Sequence, residues 1–265
     1  MTITYENHFV LVEKRESSVA LVTLNNPPLN LNSVPSLQEL GESLRKLGTD
    51  PDVRVLVLTG SGNKAFNAGS DLTGFKEMAG NFTGRKFKIE TDVMNSLEFI
   101  GKPTVCAVEG FCMGGGLELA CCCDIRIVSE KALFSQPEIT LGLYPAAGGL
   151  YRLPKLIGPA RALEMMYLGE TIDATEAYRI GLVNKIAPAG AALEHALTMA
   201  EKIACRPPNA LRVIKEGMRK MWLRESKDNH YTNLEYIEGI FNHHNAIEGV
   251  AAFLGKRAPR FRYTE

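Results

Sequence analysis

Residues 107–120 read AVEGFCMGGGLELA, an apolar strand-like segment followed by three consecutive glycines and then by a glutamate with apolar neighbours. Glycine loses much conformational entropy on folding, so three together indicate a positive φ or a group that approaches the backbone closely. A helix that begins at these glycines has free N–H groups, which favour negative charge. The stretch therefore predicts a strand, turn and helix junction that binds an anion, or an oxygen that becomes negative during a reaction, beside Glu118.

Strand and helix patterns alternate on both sides of this junction. Residues 104–108 and 125–128 have the apolar, β-branched composition of strands, as do residues 19–24 and 53–58. Between the last two, leucines recur at positions 37, 40, 44 and 47, and another helical pattern runs from Ile89 to Ile100. This alternation predicts an α/β core.

The last third of the chain has helical patterns instead. They cover residues 163–168, 191–204, 210–222 and 233–241. We therefore predict an α/β core over residues 1–200 and a C-terminal helical region over residues 201–265.

Composition limits the possible partners. The 265 residues carry 30 basic and 30 acidic side chains, so net charge gives no reason to expect nucleic acid or an anionic membrane as partner. The N-terminus lacks the basic and apolar regions of a secretory signal, which predicts a cytoplasmic protein. The least polar window, residues 103–123, contains Glu109 and Glu118, and we interpret it as buried core rather than a membrane span.

The cysteines and paired histidines give weak signals. Three of the six cysteines are adjacent, at 121–123, which suits neither a disulfide framework nor a zinc site, so all six are predicted to be small buried residues. His243 and His244 would point in different directions on a helix, and no third ligand is evident. The sequence therefore predicts no metal site.

Seven segments together carry a resemblance to one family. They read NPPLN (26–30), AFNAGSDL (65–72), GGGLELA (114–120), CDIR (123–126), FSQPE (134–138), AYRIGLV (177–183) and GVAAFLGKR (249–257). In order and spacing they resemble the enoyl-CoA hydratase/isomerase, or crotonase, superfamily over essentially the whole chain. The resemblance implies a spiral of ββα units with a C-terminal α-helical trimerisation region. It also implies an acyl-CoA thioester substrate, no cofactor apart from the CoA of that substrate, and a homotrimer or a hexamer made of two trimers.

The resemblance also assigns roles in the site. The backbone N–H groups of Asn67 and Gly115 match the oxyanion hole that holds the thioester oxygen. Glu118 matches the carboxylate that activates water, and Glu138 the one that protonates C2. From local sequence alone, both glutamates also fit carboxylates that a helix N-terminus stabilises. Two carboxylates in a poorly hydrated pocket can share acid and base roles, which agrees with the resemblance.

Further positions are candidates for binding the acyl group or CoA. They are Leu29, Leu31, Ala65, Ala68, Gly69, Ser70, Asp71, Gly114, Ala146, Phe253 and Lys256. Lys256 matches a family position that reaches CoA from a neighbouring subunit. Asp71 and Asp124 stand beside turns, where short carboxylates usually bond the local backbone, so a structural role is expected for both.

Two positions depart from the family pattern. Asn67 replaces a small or apolar residue, and Ala146 stands near the point where hydratases often have a glycine that helps to hold water. With both glutamates present, we expect a 2-enoyl-CoA hydratase. An enoyl-CoA isomerase or another enolate-forming relative is the alternative, since one carboxylate suffices for it. A non-catalytic CoA-binding or RNA-binding relative is a third hypothesis, which the balanced charge disfavours.

Overall fold

The computed structural model describes residues 3–6, 8–223, 239 and 241–260. Eleven strands are present in this part of the chain: β1 (Ile3–Glu6), β2 (Val10–Lys14), β3 (Val19–Leu24), β4 (Val55–Gly60), β5 (Ala65–Asn67), β6 (Thr104–Val108), β7 (Phe111–Met113), β8 (Ile125–Ser129), β9 (Leu133–Ser135), β10 (Ile172–Asp173) and β11 (Lys185–Ala187). The α-helices are α1 (Val34–Thr49), α2 (Lys88–Phe99), α3 (Gly115–Cys122), α4 (Gly149–Ile157), α5 (Pro159–Leu168), α6 (Ala174–Arg179), α7 (Ala192–Ala204), α8 (Pro208–Leu223) and α9 (His244–Leu254). A π-helical turn, Thr83–Phe87, leads into α2, and short 3-10 helices cover Lys76–Met78 and Pro137–Leu141.

The strands form two sheets. The larger has seven strands in the order β1-β2-β3-β4-β6-β8-β11, and the smaller has four in the order β10-β9-β7-β5. Strands β3, β4, β6, β8 and β11 run parallel, while β1 and β2 join the edge as antiparallel strands. In the smaller sheet, β5, β7 and β9 are parallel. The chain thus alternates between the two sheets, as a spiral of strand and helix units does.

The sequence of helix α1 explains where the helix begins and which of its faces is buried. Ser33 caps it by accepting a hydrogen bond from the Ser36 N–H, and Ser36 bonds back to the Ser33 N–H. Leu37, Leu40 and Leu44 are then buried on one face, because helical spacing brings them to one side. This apolar face contributes to the main hydrophobic core.

Helix α7 covers the opposite face of the larger sheet. Its Ala196, Ala200 and Ala204 pack in a second core with Val55 and Val105. Residue 200, the predicted end of the core region, therefore lies inside a helix that packs on the sheet. The division into two regions stays a prediction.

Most predicted elements agree with the structure. The strands at 19–24 and 104–108 have the predicted bounds, whereas the strand predicted at 53–58 begins at Val55 because the Val53 N–H closes a turn on the Asp50 carbonyl. The helix predicted over 233–241 lies largely outside the described residues. Five cysteines are buried as predicted, but the prediction for Cys205 is wrong: it ends α7 as an exposed C-cap. No helix in the described ranges is long and apolar enough to cross a membrane.

Candidate active site

The glycine-rich junction joins strand β7 to helix α3. Gly114 has φ +52°, a conformation that residues other than glycine rarely adopt, and its N–H donates to the Ser135 carbonyl at 3.0 Å. A β-carbon on Gly114 would lie 3.1 Å from the Glu138 Oε1 atom. The predicted strand, turn and helix are therefore present, and glycine is needed both for the positive φ and for the approach of Glu138.

Two carboxylates lie beside this junction. Glu118, in the first turn of α3, is 3 % exposed, and its Oε1 accepts a 2.6 Å hydrogen bond from the Gly149 N–H. Glu138 is partly buried in the 3-10 helix that follows β9. In the amide orientation that satisfies both groups, Gln136 donates to the two Glu138 oxygens at 2.9 and 3.1 Å. Glu118 is thus held by a residue from a distant part of the chain, and Glu138 by a residue of its own loop.

Burial shifts the acidity of both groups. Desolvation, with the nearby negative charge of Glu90, raises the pKa of Glu118 to about 8, although the Gly149 N–H and Arg152 oppose the shift. Desolvation, and then the charge of Glu118, raises the pKa of Glu138 well above its usual range. The two carboxyl groups therefore titrate as an interacting pair, and the pKa of Glu118 lies near neutral pH, the range in which acid and base catalysis is effective.

Backbone donors complete the junction. Gly115 is the first residue of α3, so its N–H lacks an intrahelical acceptor. Nearby, the Asn32 N–H donates to the Gly69 carbonyl and the Asp71 N–H donates to the Asn32 carbonyl, which turns the intervening Ser70 N–H to the other side of this segment. A β-carbon on Gly115 would lie 3.5 Å from the Ser70 Oγ atom. The Ser70 side chain therefore borders Gly115, and a β-carbon on the preceding Gly69 would lie 3.6 Å from the Gly115 nitrogen.

Asn67, the other predicted oxyanion donor, lies at the end of β5 and is 1 % exposed. Its side-chain amide is used inside the protein: Oδ1 accepts from the Gly69 N–H at 2.8 Å, and Nδ2 donates to Asn32 Oδ1 at 2.7 Å. Asn32 in turn donates to Glu90 Oε1 at 3.0 Å. The departure from the family pattern at Asn67 thus supports the loop that carries Gly69 and Ser70.

The structure brings most other predicted binding residues near this loop. The Ala68 N–H donates to the Leu29 carbonyl, and the Leu31 carbonyl accepts from the Ser33 N–H. Ala65 and Ala146 are buried. Asp71 accepts from the N–H and hydroxyl of Thr73, the local turn that its position predicts.

Phe253 and Lys256 lie apart from these groups. Both are exposed at the end of α9, and within the described ranges no hydrogen bond or ion pair joins either side chain to Glu118 or Glu138. Lys256 is predicted to reach the CoA of a neighbouring subunit and Phe253 to bind substrate or CoA, and a single chain tests neither role.

Besides Gly149, three residues of the site were not singled out from the sequence. Gln136 adjoins Glu138 in the FSQPE segment, so its position gave a signal. Asn32 and Glu90 are 58 residues apart and meet only through folding, so nothing in the local sequence indicates their hydrogen bond.

A buried ionic cluster lies next to the site and contacts the loop that precedes Gly149. Arg152 of α4 donates to Glu98 Oε2 and to the Ala147 carbonyl at 2.7 and 2.8 Å. Arg219 of α8 donates to the other Glu98 oxygen at 2.8 Å and to Asp124 at 3.1 Å. The cluster therefore ties α4 and α8 to α2, and it holds the loop that precedes Gly149.

Replacing Gly116 by alanine is expected to destabilise the fold by about 1–3 kcal/mol, because the new methyl group would overlap the Asn67 carbonyl. Chemical denaturation measures the change. Gly48→Ala is the control, since a β-carbon there makes only ordinary contacts of 3.6 Å or more with Ile100. Equal stability of the two variants would contradict the expected close packing of α3 on β5.

Comparison with known proteins identifies the family of the chain. The sequence profile of the enoyl-CoA hydratase/isomerase family matches residues 14–264. The chain is 40 % identical over 213 residues to a short-chain-enoyl-CoA hydratase of Clostridium acetobutylicum, covering 80 % of this chain and 81 % of that one. It is 35 % identical over 261 residues to a crotonyl-CoA hydratase of Syntrophomonas wolfei, covering 98 % and 99 %.

A solved structure shows the same fold. The crystal structure of carnitinyl-CoA hydratase from Mycobacterium avium superposes with a TM-score of 0.87 at 31 % identity, covering 98 % of this chain and 100 % of that one. The α/β spiral expected from the motifs is therefore confirmed. With the profile match, the full-length relatives and the shared fold in agreement, this chain belongs to the enoyl-CoA hydratase/isomerase family.

Proposed function

We propose that the protein is an enoyl-CoA hydratase that adds water across the 2,3 double bond of an enoyl-CoA thioester. The observation that carries the proposal is the pair of carboxylates with raised pKa values, Glu118 and Glu138, beside the Gly114 turn. Two relatives that are named for this activity and that match 80 % and 98 % of the chain support the proposal. Their activities include short-chain and crotonyl thioesters, which makes a short enoyl group the first substrate to test.

The chemistry follows from the donors at the junction. The Gly115 N–H, in the positive end of α3, would hold the thioester oxygen. The second donor would be the Asn67 N–H predicted from the family or the Ser70 N–H, which the bridge to Asn32 leaves facing away from Asn32. Polarisation of the carbonyl makes C3 electrophilic and stabilises the enolate that forms when water attacks.

Two proton transfers complete the addition. Glu118, in its ionised form, would accept a proton from the attacking water, while Glu138 would deliver its proton to C2. The Gly149 N–H orients Glu118, and Gln136 orients Glu138. Delivery of both groups from one side of the double bond gives syn addition and 3-hydroxyacyl-CoA. CoA is part of the substrate, so this scheme requires no separate cofactor.

Assembly belongs to the same proposal. We expect a homotrimer or a hexamer of two trimers, in which Phe253 and Lys256 of one subunit approach the CoA bound to another. Their exposure at the end of α9 leaves both side chains available for such a contact. Sedimentation of the full chain gives the subunit number directly.

Loss of the conjugated-thioester absorbance of crotonyl-CoA tests the activity. We expect loss of absorbance and formation of 3-hydroxybutyryl-CoA. If the protein instead converts a 3-enoyl thioester without forming a hydroxyacyl product, it is an isomerase. Binding of CoA thioesters without conversion of either substrate would contradict both enzymatic functions.

The raised pKa of Glu118 predicts a pH-dependent stability. Since this pKa moves from 4.5 to about 8 on folding, the folded chain holds a proton that the unfolded chain releases. The stabilisation from this group is complete below pH 4.5 and is lost as the pH rises through about 8. Glu118→Gln does not titrate there, so its stability relative to wild type should increase between pH 5 and pH 9, measured by urea denaturation at fixed protein concentration. The exposed Glu130→Gln variant should show no such trend. A constant difference for Glu118→Gln would refute the shift.

A further inference from the structure

Glu90 is a third buried carboxylate at the site, and the mechanism above does not use it. It lies in the first turn of α2 and is 1 % exposed. Its Oε1 accepts the hydrogen bond from Asn32, whereas its Oε2 is buried and has no hydrogen-bond partner among the described residues. Buried polar atoms in folded proteins nearly always have partners, so this oxygen requires one that the described residues do not supply.

The position of Glu90 connects it with the reacting groups. A β-carbon on Gly115 would lie 3.1 Å from the Glu90 Oε1 atom, so the carboxylate adjoins the proposed thioester site. Its negative charge also raises the pKa of both Glu118 and Glu138, which indicates that all three carboxylates lie near one another. The unpartnered oxygen therefore belongs to a carboxylate that adjoins Gly115 and lies near Glu118 and Glu138.

The neighbours of Glu90 fix its orientation. The chain of hydrogen bonds from Gly69 through Asn67 and Asn32 ends on Oε1. Because Oε1 is held in this way, rotation of the carboxylate cannot give Oε2 the same partner. Oε2 is thus a fixed acceptor on a rigid helix.

The position of Lys86 bears on which kind of hydrogen-bond donor, charged or neutral, suits Glu90 Oε2. This buried lysine, one turn before Glu90, donates to the Asp71 carbonyl at 3.3 Å, and no ion pair between it and Glu90 is found in the described ranges. Its positive charge already lies near the negative charge of Glu90. A neutral hydrogen-bond donor therefore suits the oxygen better than a second cation.

We propose that Glu90 Oε2 accepts a hydrogen bond from a hydroxyl group on carbon 4 or 5 of the acyl chain, so that the preferred substrates are hydroxylated short-chain acyl-CoA thioesters. This inference rests on the proposed function for the placement of the thioester. With the carbonyl oxygen at Gly115 and the two proposed catalytic carboxylates at C2 and C3, the acyl atoms that this proposal brings to Glu90 are those beyond C3. Glu90 is then a specificity residue, because a buried acceptor disfavours analogues that lack the donor.

Binding of unreactive saturated thioesters tests the inference without any need for turnover. Butyryl-CoA, 4-hydroxybutyryl-CoA and 4-methoxybutyryl-CoA, with the 5-substituted pentanoyl series beside them, are titrated into the wild-type protein by calorimetry. The methoxy compounds have nearly the same shape and can accept but not donate a hydrogen bond. We expect the hydroxy compound of at least one series to bind about tenfold more tightly than its methoxy and unsubstituted partners, the order of one charge-assisted hydrogen bond.

Glu90→Gln supplies the second arm. Glutamine has the same shape and can keep the Asn32 bond while it presents an NH₂ group in place of Oε2, so the preference for hydroxy over methoxy should fall to about one. Asp92→Asn, an equal change of charge at an exposed position of the same helix, should leave the preference intact.

The outcomes separate this inference from the proposed function. Equal binding of hydroxy and methoxy compounds to wild type in both series would overturn the role of Glu90, and water would then be the partner of Oε2. A preference that survives Glu90→Gln would assign the hydroxyl to another residue and would equally overturn it. Hydration of crotonyl-CoA is measured separately, so its absence counts against the hydratase and not against the hydroxyl preference.

Discussion

Replacing Glu118 by glutamine is expected to lower kcat for hydration of crotonyl-CoA by about 10²–10⁴-fold, the range for loss of one general acid or base. The amide keeps the shape of the side chain and can still accept from the Gly149 N–H, but it cannot take a proton from water. Glu138→Gln should have a similar effect, because the amide has no acidic proton for C2. The decrease in absorbance of the conjugated thioester gives both rates.

A double variant and a surface control show whether the loss of rate is specific to the two carboxylates. The double variant should be little slower than either single variant, because the two groups act as a unit. Glu130→Gln, at an exposed position after β8, should keep the wild-type rate. Full hydratase activity in Glu118→Gln would show that another group activates the water, and the assignment of the base would fail.

The second large effect concerns stability. Arg152→Met is expected to lower the free energy of unfolding by about 3–5 kcal/mol, the usual result of removing one partner from a buried ion pair. Arg152 is 3 % exposed and bonds Glu98, Asn95 and the Ala147 carbonyl. Methionine fills similar space, so the loss reports the Glu98 Oε2 atom and the Ala147 carbonyl left without Arg152, while Arg219 still bonds the other Glu98 oxygen. Urea denaturation at neutral pH measures it.

A surface ion pair provides the matched control. Arg161 pairs with Glu164 on α5 with about half of each side chain exposed, and Arg161→Met should change stability little, because solvent screens such pairs. If Arg152→Met is as stable as Arg161→Met, the buried cluster does not support the fold in the way described here.

The sequence predicted the parts of the site that lie within one continuous segment. The three glycines before Glu118 indicated a turn with positive φ and a helix N-terminus, and both are present. The buried strand at 104–108 and the leucine face of α1 were likewise readable, because their spacing directly reflects burial on one side.

Features that depend on distant segments were not predictable in this way. Gly149 lies 31 residues after Glu118, and only the folded chain brings its N–H to that carboxylate. The role of the Asn67 side chain was also hidden, since it depends on Asn32, 35 residues earlier. At Cys205, the apolar character of the side chain suggested burial, but its place at the end of α7 exposes it.

The link between α8 and the candidate active site limits how this protein can be recombined. Arg219, in the C-terminal region, shares Glu98 with Arg152, which in turn holds the loop leading to Gly149. A chimaera that exchanges everything after α7 with a relative therefore joins two halves of one ionic cluster. Such a graft requires that donor and recipient have matching residues at Glu98, Arg152 and Arg219. These three residues must therefore be exchanged together, although the first and last are 121 positions apart in the sequence.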